Sequence, residues 1–332
     1  MPFRFFRRLV RAVDFALMLV GLLAVILVAA LAAPLSNPPE LASIHEGAMA
    51  IDQEGKPELS RFQARDGTWL AYRLYPAENG AKDRLAILAH GSSSLSDEMN
   101  AIARALAANG VTAVAIDARG HGASGTRGDI AYLGQLNHDL ADLVTELRKS
   151  YPDAKLTLIG HSSGGGFALR IASAPEGALF DRFVLLAPYL GYAAPTNRPS
   201  EGPGRWAEPD VPRIVAIMFL RRIGIDWPQS LPVIAFANAP EATKFVTSHY
   251  TFRLLVNFGP PPDWQEAFRK ASGRIEVIAG AKDELMDASA YQSVLPPLGA
   301  RVTILADVDH MGVVYRPEAL KAIAAAAIAP GS

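Results

Sequence analysis

Gly160-His-Ser-Ser-Gly164 sets one serine between two glycines, after the apolar, β-prone run Lys155-Leu-Thr-Leu-Ile159 and before Gly165-Gly-Phe-Ala-Leu-Arg-Ile-Ala-Ser173, which reads as a helix start. A serine on so tight a strand-to-helix turn needs small neighbours. The turn holds its hydroxyl out beside the positive N-terminus of the helix. Ser162 is therefore the candidate nucleophile of an acyl transfer. A glycine-rich helix start without chemistry shows the same five residues, so two further groups must decide. A serine hydroxyl needs an imidazole to take its proton, and the imidazole needs a carboxylate to fix its tautomer and stabilise its charged form.

Both groups follow in the order serine, acid, histidine, one of the chain orders in which this constellation occurs. Arg274-Ile-Glu-Val-Ile-Ala279 reads as a strand running into a glycine turn, with Asp283 just beyond it. Arg301-Val-Thr-Ile-Leu-Ala306 reads as another, followed by Asp307-Val-Asp-His310. Each candidate thus sits past the carboxyl end of its own strand, on the rim that holds Ser162. Of the seven histidines, His310 alone lies in the last quarter of the chain. Asp283 is the candidate acid, with Glu284 and Asp287 close enough to compete, and Asp309 is expected to order the histidine loop. Negative charge on the substrate oxygen calls for positioned backbone N–H groups. Ser163, directly after the nucleophile, supplies one. Ser92, in the His90-Gly-Ser-Ser-Ser94 loop after the strand Arg84-Leu-Ala-Ile-Leu-Ala89, supplies the other. His90 is expected to shape that loop.

Together these segments resemble an α/β-hydrolase of the monoacylglycerol lipase, lysophospholipase and serine aminopeptidase-like group. The residues that carry the likeness are Asp66-Gly67, His90-Gly91, Asp117-Ala-Arg119-Gly-His121-Gly-Ala-Ser124-Gly125, the Ser162 turn, Gly280-Ala-Lys-Asp283 and Asp309-His310-Met311. It covers roughly Arg61 to Ala329, apart from an insert. The resemblance implies a mostly parallel sheet with helices on both faces. It also makes His121 a structural loop residue and not the base, consistent with its position upstream of the serine.

The elements needed to position these groups are present. Phe62–Ala64 and Trp69–Tyr75 read as an opening hairpin, Asp97–Ala108 as a helix and Val111–Ile116 as a strand. Asn137–Tyr151 reads as an amphipathic helix, Arg182–Ala187 as a strand and Arg316–Ile328 as a closing helix. Alternating strands and helices predict a parallel sheet covered on both faces. The alternation divides the chain into a first core part, 61–187, an insert, 188–273, and a second core part, 274–332. The insert is rich in proline and large apolar residues, among them Trp206, Trp227, Phe236, Tyr250 and Trp264. It falls where a lid over Ser162 is expected.

Composition closes off other classes. The chain has 332 residues, a formal net charge of −1, half its residues hydrophobic and no cysteine. That charge gives no case for nucleic acid. There is no phosphate-binding or dinucleotide fingerprint and no metal-ligand spacing, so no metal or cofactor is expected. His138 and Asp142 stand four apart on a helix and read as a solvated face. No protein partner is implied.

The amino terminus points to a membrane. Residues 1–12 carry Arg4, Arg7, Arg8 and Arg11, and the stretch Phe15–Ala33 is uncharged. As a helix that stretch is about 28 Å long, close to the hydrocarbon thickness. Residues 13–33 are read as an anchor, 34–60 as a linker. The basic cluster predicts a cytoplasmic N-terminus and a catalytic domain on the opposite side. A signal peptide cleaved after Ala30-Leu-Ala32 is the rival, secreted or periplasmic reading, although signal h-regions are usually shorter.

The sequence therefore predicts a membrane-anchored serine hydrolase acting on small-molecule or lipid esters with apolar acyl groups. A peptidase on the same machinery is the alternative. It would need acidic lid residues for a free amine, with Glu201, Glu208, Asp210 and Glu241 as candidates. A noncatalytic binding module on the same scaffold is a third reading, opposed by the intact triad. Serine at the turn argues against dehalogenase or epoxide hydrolase chemistry, which uses a carboxylate there.

Overall fold

Runs such as Leu85-Ala-Ile-Leu-Ala89 and Leu156-Thr-Leu-Ile159 are apolar on both strand faces, which suits strands covered by helices on both sides. A computed structural model of the chain describes residues 2–198 and 204–329 and bears this out. It begins with helices α1 (Pro2–Ala32) and α2 (Ala42–Met49). The first core part contains β1 (Ser60–Gln63), β2 (Trp69–Tyr75), β3 (Arg84–Ala89), α3 (Asn100–Ala108), β4 (Thr112–Ile116), α4 (Gln135–Arg148), β5 (Lys155–His161), α5 (Ser163–Ser173) and β6 (Arg182–Leu186). The intervening segment holds β7 (Ala207–Pro209), α6 (Val211–Arg222), β8 (Pro232–Phe236), β9 (His249–Thr251), α7 (Phe252–Asn257) and α8 (Trp264–Lys270). The chain closes with β10 (Ile275–Gly280), α9 (Ala288–Val294), β11 (Arg301–Leu305) and α10 (Pro317–Ile328).

Eight strands form one sheet in the order β1-β2-β4-β3-β5-β6-β10-β11. β1 and β2 pair antiparallel, β2 meets β4 antiparallel, and the other pairs are parallel. The central strands β3 and β5 pair from Arg84 opposite Lys155 to Ala89 opposite Gly160, so the loop after β3 and the turn after β5 leave the sheet side by side. The carboxyl ends of β10 and β11 lie along the same rim. Predicted element boundaries shift by a few residues. Ser96–Met99 is a separate 3-10 turn before α3, and Ala187 leaves β6 because its φ is +41°.

The intervening segment makes its own antiparallel sheet, β7-β8-β9. Its far end returns to the core, where α8 packs on α5. Arg170 of α5 donates to the carbonyls of Val256, Gly259 and Pro260. Burial pushes its pKa down to about 10.

The stretch after α1 is more than a spacer. Leu41 N–H donates to Ala237 O at 3.1 Å, Asn37 lies 2.8 Å from His249 Nε2, and α2 buries Ile44 and Gly47. Among the described residues one helix, α1, is long and apolar enough to cross a membrane, over Val10–Ala32.

Candidate active site

The turn after β5 is fixed by close packing. A Cβ on Gly160 would stand 2.1 Å from Gly164 O, and one on Gly164 would stand 2.3 Å from His90 O. Only glycine fits at either place, because the serine turn is pressed between its own helix and the loop after β3. Ser162 itself is held at φ +52°, ψ −115°, a conformation that L residues rarely adopt. Among the described residues the other non-glycine positions with positive φ are Ser93 and Ala187, in the loops on either side, so local backbone strain is concentrated at this rim.

His310 and Asp283 meet there. His310 Nδ1–H donates to Asp283 Oδ2 at 2.9 Å, and both side chains are buried. That bond leaves Nε2 as the ring nitrogen available to the pocket, which His310 and Ser162 both line. Burial alone lowers the His310 pKa. The charge and hydrogen bond of Asp283, helped by Glu284 and Glu98, outweigh it and hold the pKa above the ordinary histidine value. For Asp283 burial works upward, but His310 and the N–H groups of Met286 and Leu285 hold its pKa below the usual carboxylate range. The competing carboxylates do other work. Glu284 accepts the backbone N–H of His310 at 3.1 Å, and Asp287 caps α9 through Ser289 N–H. Asp309 accepts Gly312 N–H at 2.6 Å and orders the loop as expected.

In the loop after β3, Gly91 N–H donates to Glu98 Oε1 at 2.7 Å and Ser93 N–H to Tyr250 Oη at 2.6 Å. Between them, Ser92 N–H has no acceptor among the described residues. Ser163 is the first residue of α5, so its N–H lacks an intrahelical partner. These two free donors are the ones expected for an oxyanion. His90 is occupied at both ring nitrogens, by Gly91 O at 2.7 Å and Ala118 N at 3.3 Å, and burial lowers its pKa. His121 Nε2 lies 2.6 Å from Tyr250 Oη, and burial, then neighbouring His90, lowers its pKa strongly. Both rings are buried and have partners at their ring nitrogens.

Several functional contacts were out of reach of sequence reasoning. The loop carrying Ser92 is held from the inserted segment: Trp206 Nε1 donates to Ser92 Oγ at 2.7 Å, Thr247 N to Ser93 O at 2.8 Å, and Asn238 Nδ2 to Ser93 Oγ at 2.9 Å. Helix α2 supplies Ile44, His45 and Ala48 to the pocket wall, and Gly47 lies against Met311, next to His310. The segment read as a linker therefore forms part of the site. His138 and Asp142 are not partners, since Asp142 is taken by Arg65 at 2.8 Å. Of the proposed amine-binding acids, Glu208 pairs with Arg205 and Asp210 with Arg213, while Glu241 is exposed 3.8 Å from His45. Glu201 lies outside the described residues.

Behind the turn sits a second buried acid–imidazole pair. Glu98 Oε1 accepts Gly91 N–H at 2.7 Å and His161 Nδ1–H at 2.8 Å, and His161 Nε2 lies 3.2 Å from His310 O. Burial works to raise the Glu98 pKa, but His161, His90 and Gly91 N–H bring it down to about 2. Stability from this charge is complete above the unfolded value near 4.5 and is lost as pH falls toward 2. Glu98→Gln can keep both hydrogen bonds through its amide oxygen, but it removes the charge and with it both the stability present above that value and the acid dependence. Glu98→Ala strands two buried donors and is expected to cost about 1–3 kcal/mol for each. Chemical denaturation at pH 7 checks this, and an alanine variant as stable as the parent would refute it.

A family model described as serine aminopeptidase, S33, matches residues 80–310, well over half of the chain. The chain belongs to this family. Its relatives include monoglyceride lipase of Homo sapiens, at 30% identity, and of Mus musculus, at 28%. Both matches run over 153 residues, 46% of this chain and 49% of the relative, so they span about half of those proteins. Among solved structures, a soluble variant of monoglyceride lipase from Saccharomyces cerevisiae gives a TM-score of 0.61 at 16% identity, covering 83% of this S33-family chain and 96% of that chain. A membrane phospholipase A, a bacterial virulence factor, gives 0.55 at 16% identity, covering 95% and 97%. At such identities the likeness is one of fold, and it is the α/β-hydrolase fold that the sequence led us to expect.

Proposed function

We propose that the chain is a membrane-anchored serine hydrolase that cleaves carboxylic esters with apolar acyl groups. The observation that carries this reading is the buried Asp283–His310 pair on the pocket that Ser162 lines. Ser162 Oγ attacks the ester carbonyl while His310 Nε2 takes its proton. His310 then returns the proton to the leaving alcohol, and Asp283 holds the imidazole in place throughout. The N–H groups of Ser92 and Ser163 receive the oxyanion. A water that gives its proton to His310 Nε2 then attacks the acyl carbon, which releases the acid, and His310 returns the proton to Ser162 Oγ. Residues 61–187 and 274–332 form the catalytic core and residues 188–273 the lid. The anchor at 13–33 keeps the catalytic domain on the non-cytoplasmic side.

Ile44, Ala237, Val246, Leu285 and Met311 make much of the pocket wall apolar, which suits an acyl chain. The monoglyceride lipase relatives point the same way. The ion pairs of Glu208 and Asp210 weigh against a free-amine site and so against the peptidase alternative. Each further buried CH₂ adds up to about 0.8 kcal/mol, roughly fourfold in kcat/KM. A series of aryl esters should therefore climb from acetyl to at least hexanoyl. A steep fall after acetyl, or faster turnover of aminoacyl amides than of any ester, would sink the apolar-acyl reading.

A further inference from the structure

The outer side of α6 is apolar. Val211, Val215, Met218 and Phe219 fall at i, i+4, i+7 and i+8, one stripe of a helix, and are 53, 59, 47 and 39% exposed. The opposite stripe, Arg213, Ala216, Ile217 and Leu220, is buried. A helix apolar on both faces is ordinarily covered on both. The exposed surface continues beyond α6 through Ile223 (60%) and Trp227 (66%), past the cationic pair Arg221 and Arg222. Asp226 lies 3.8 Å from Arg221, which leaves this edge with one net positive charge.

The neighbour of α6 says what covers that surface. Buried Arg213 donates to the carbonyls of Ala30, at 3.4 Å, and Ala33. These belong to the C-terminal end of α1, where carbonyls lack intrahelical partners. Leu31 packs on the cluster of Ile217, Val233 and Phe252, and Leu27 and Ala30 are half-buried on the same side of α1. Leu27 precedes the end of α1 by five residues, about 7 Å along the axis. Where α1 leaves a bilayer, α6 is therefore held beside its last turns. That overlap matches the depth, roughly 5–10 Å, to which interfacial helices sink into the headgroup and acyl boundary.

We propose that the exposed face of α6, continued through Trp227, is a bilayer-contact surface that seats the catalytic domain on the membrane from which α1 emerges. The proposal rests on reading α1 as a membrane span. Val215, Met218 and Phe219 enter the acyl boundary, Trp227 takes the interfacial position that tryptophan favours, and Arg222 reaches anionic headgroups. Two attachments, α1 and α6, stop the domain from swivelling on its tether. They hold the α2 side of the pocket at a constant height above the lipid.

The chain has no cysteine, so single labels can be placed in the full-length protein. Met218→Cys puts a polarity-sensitive fluorophore on the proposed surface. Lys149→Cys puts it on an exposed residue just past α4, at the amino-end rim of the sheet. Both are reconstituted in phosphatidylcholine–phosphatidylglycerol vesicles with and without brominated acyl chains. The label at 218 should be blue-shifted and quenched by the brominated lipid, and the label at 149 neither. A water-like, unquenched signal at 218 in protein that floats with the vesicles overturns the surface while leaving the anchor reading standing. Failure to float removes the anchor reading. The signal at 218 on adding vesicles to that soluble protein then decides the surface alone, a quenched signal supporting it and an unquenched one overturning it. A blue shift without lipid quenching that grows with protein concentration would assign the face to a second copy of the chain.

Discussion

Ser162→Ala is expected to abolish labelling by a fluorophosphonate and to lower kcat on the order of 10⁶-fold, the loss found when the serine of such a triad is removed. The effect should be this large because two serine hydroxyls beside Ser162 are already engaged. Ser92 Oγ is engaged by Trp206 and Ser93 Oγ by Asn238, and neither sits on the turn that aims Ser162 into the pocket. Ser163→Ala is the matched control. It deletes a hydroxyl but keeps the backbone N–H at the start of α5, so it should cost little. Mass mapping of the adduct checks the assignment. Undiminished labelling of the Ser162 variant, or an adduct on Ser92, Ser93 or Ser94, would falsify it.

Asp283→Asn should cost on the order of 10⁴-fold in kcat while leaving the fold intact. Asp283 Oδ1 accepts the N–H groups of Leu285 and Met286 at 2.8 and 2.7 Å, which an asparagine oxygen can still do. Its amide nitrogen would then face His310 Nδ1 and drive the ring proton to Nε2, where a base needs a lone pair. The pH profile gives an independent readout. His310 acts as base only when neutral and its pKa is raised, so kcat/KM of the parent should fall as pH drops through a value above 6.5. Removing the Asp283 charge leaves burial opposed only by Glu284 and Glu98, so this limb should move to lower pH. Glu284→Gln can still accept His310 N–H and should cost little. If Glu284→Gln proved the damaging change and Asp283→Asn the mild one, the acid would move to Glu284.

The local devices of this chain were legible in its sequence because each is written in a few adjacent residues. Glycines around Ser162 report a close approach, since any side chain there would collide with backbone. The strands before Asp283 and His310 report themselves by apolar runs ending in turns, and strands of a parallel sheet deliver those ends to one rim. The long uncharged run of α1 needed no tertiary context either. Other features had no local signature. Glu98 and His161 are separated by 63 residues, and only the adjacency of β3 and β5 brings them together behind the turn. Tyr250 and Trp206 look like ordinary lid aromatics in sequence. Their polar tips find the loop of Ser92 only because the second sheet folds back over the core.

The sequence by itself determined the tight glycine turn that carries Ser162, the strands that precede Asp283 and His310, and the α/β scaffold. These follow from steric limits and periodicities that act within a few residues. Tertiary structure alone decided which carboxylate meets His310. Asp283, Glu284 and Asp287 are equivalent in charge and nearly so in position, and a hydrogen bond of 2.9 Å depends on the direction in which each leaves the turn after β10. It also decided that residues 42–49 form a wall of the pocket, and that α6 turns an apolar face outward beside the end of α1. Polarity along a chain says how much surface must be covered, but what covers it depends on segments that meet only when the chain is folded.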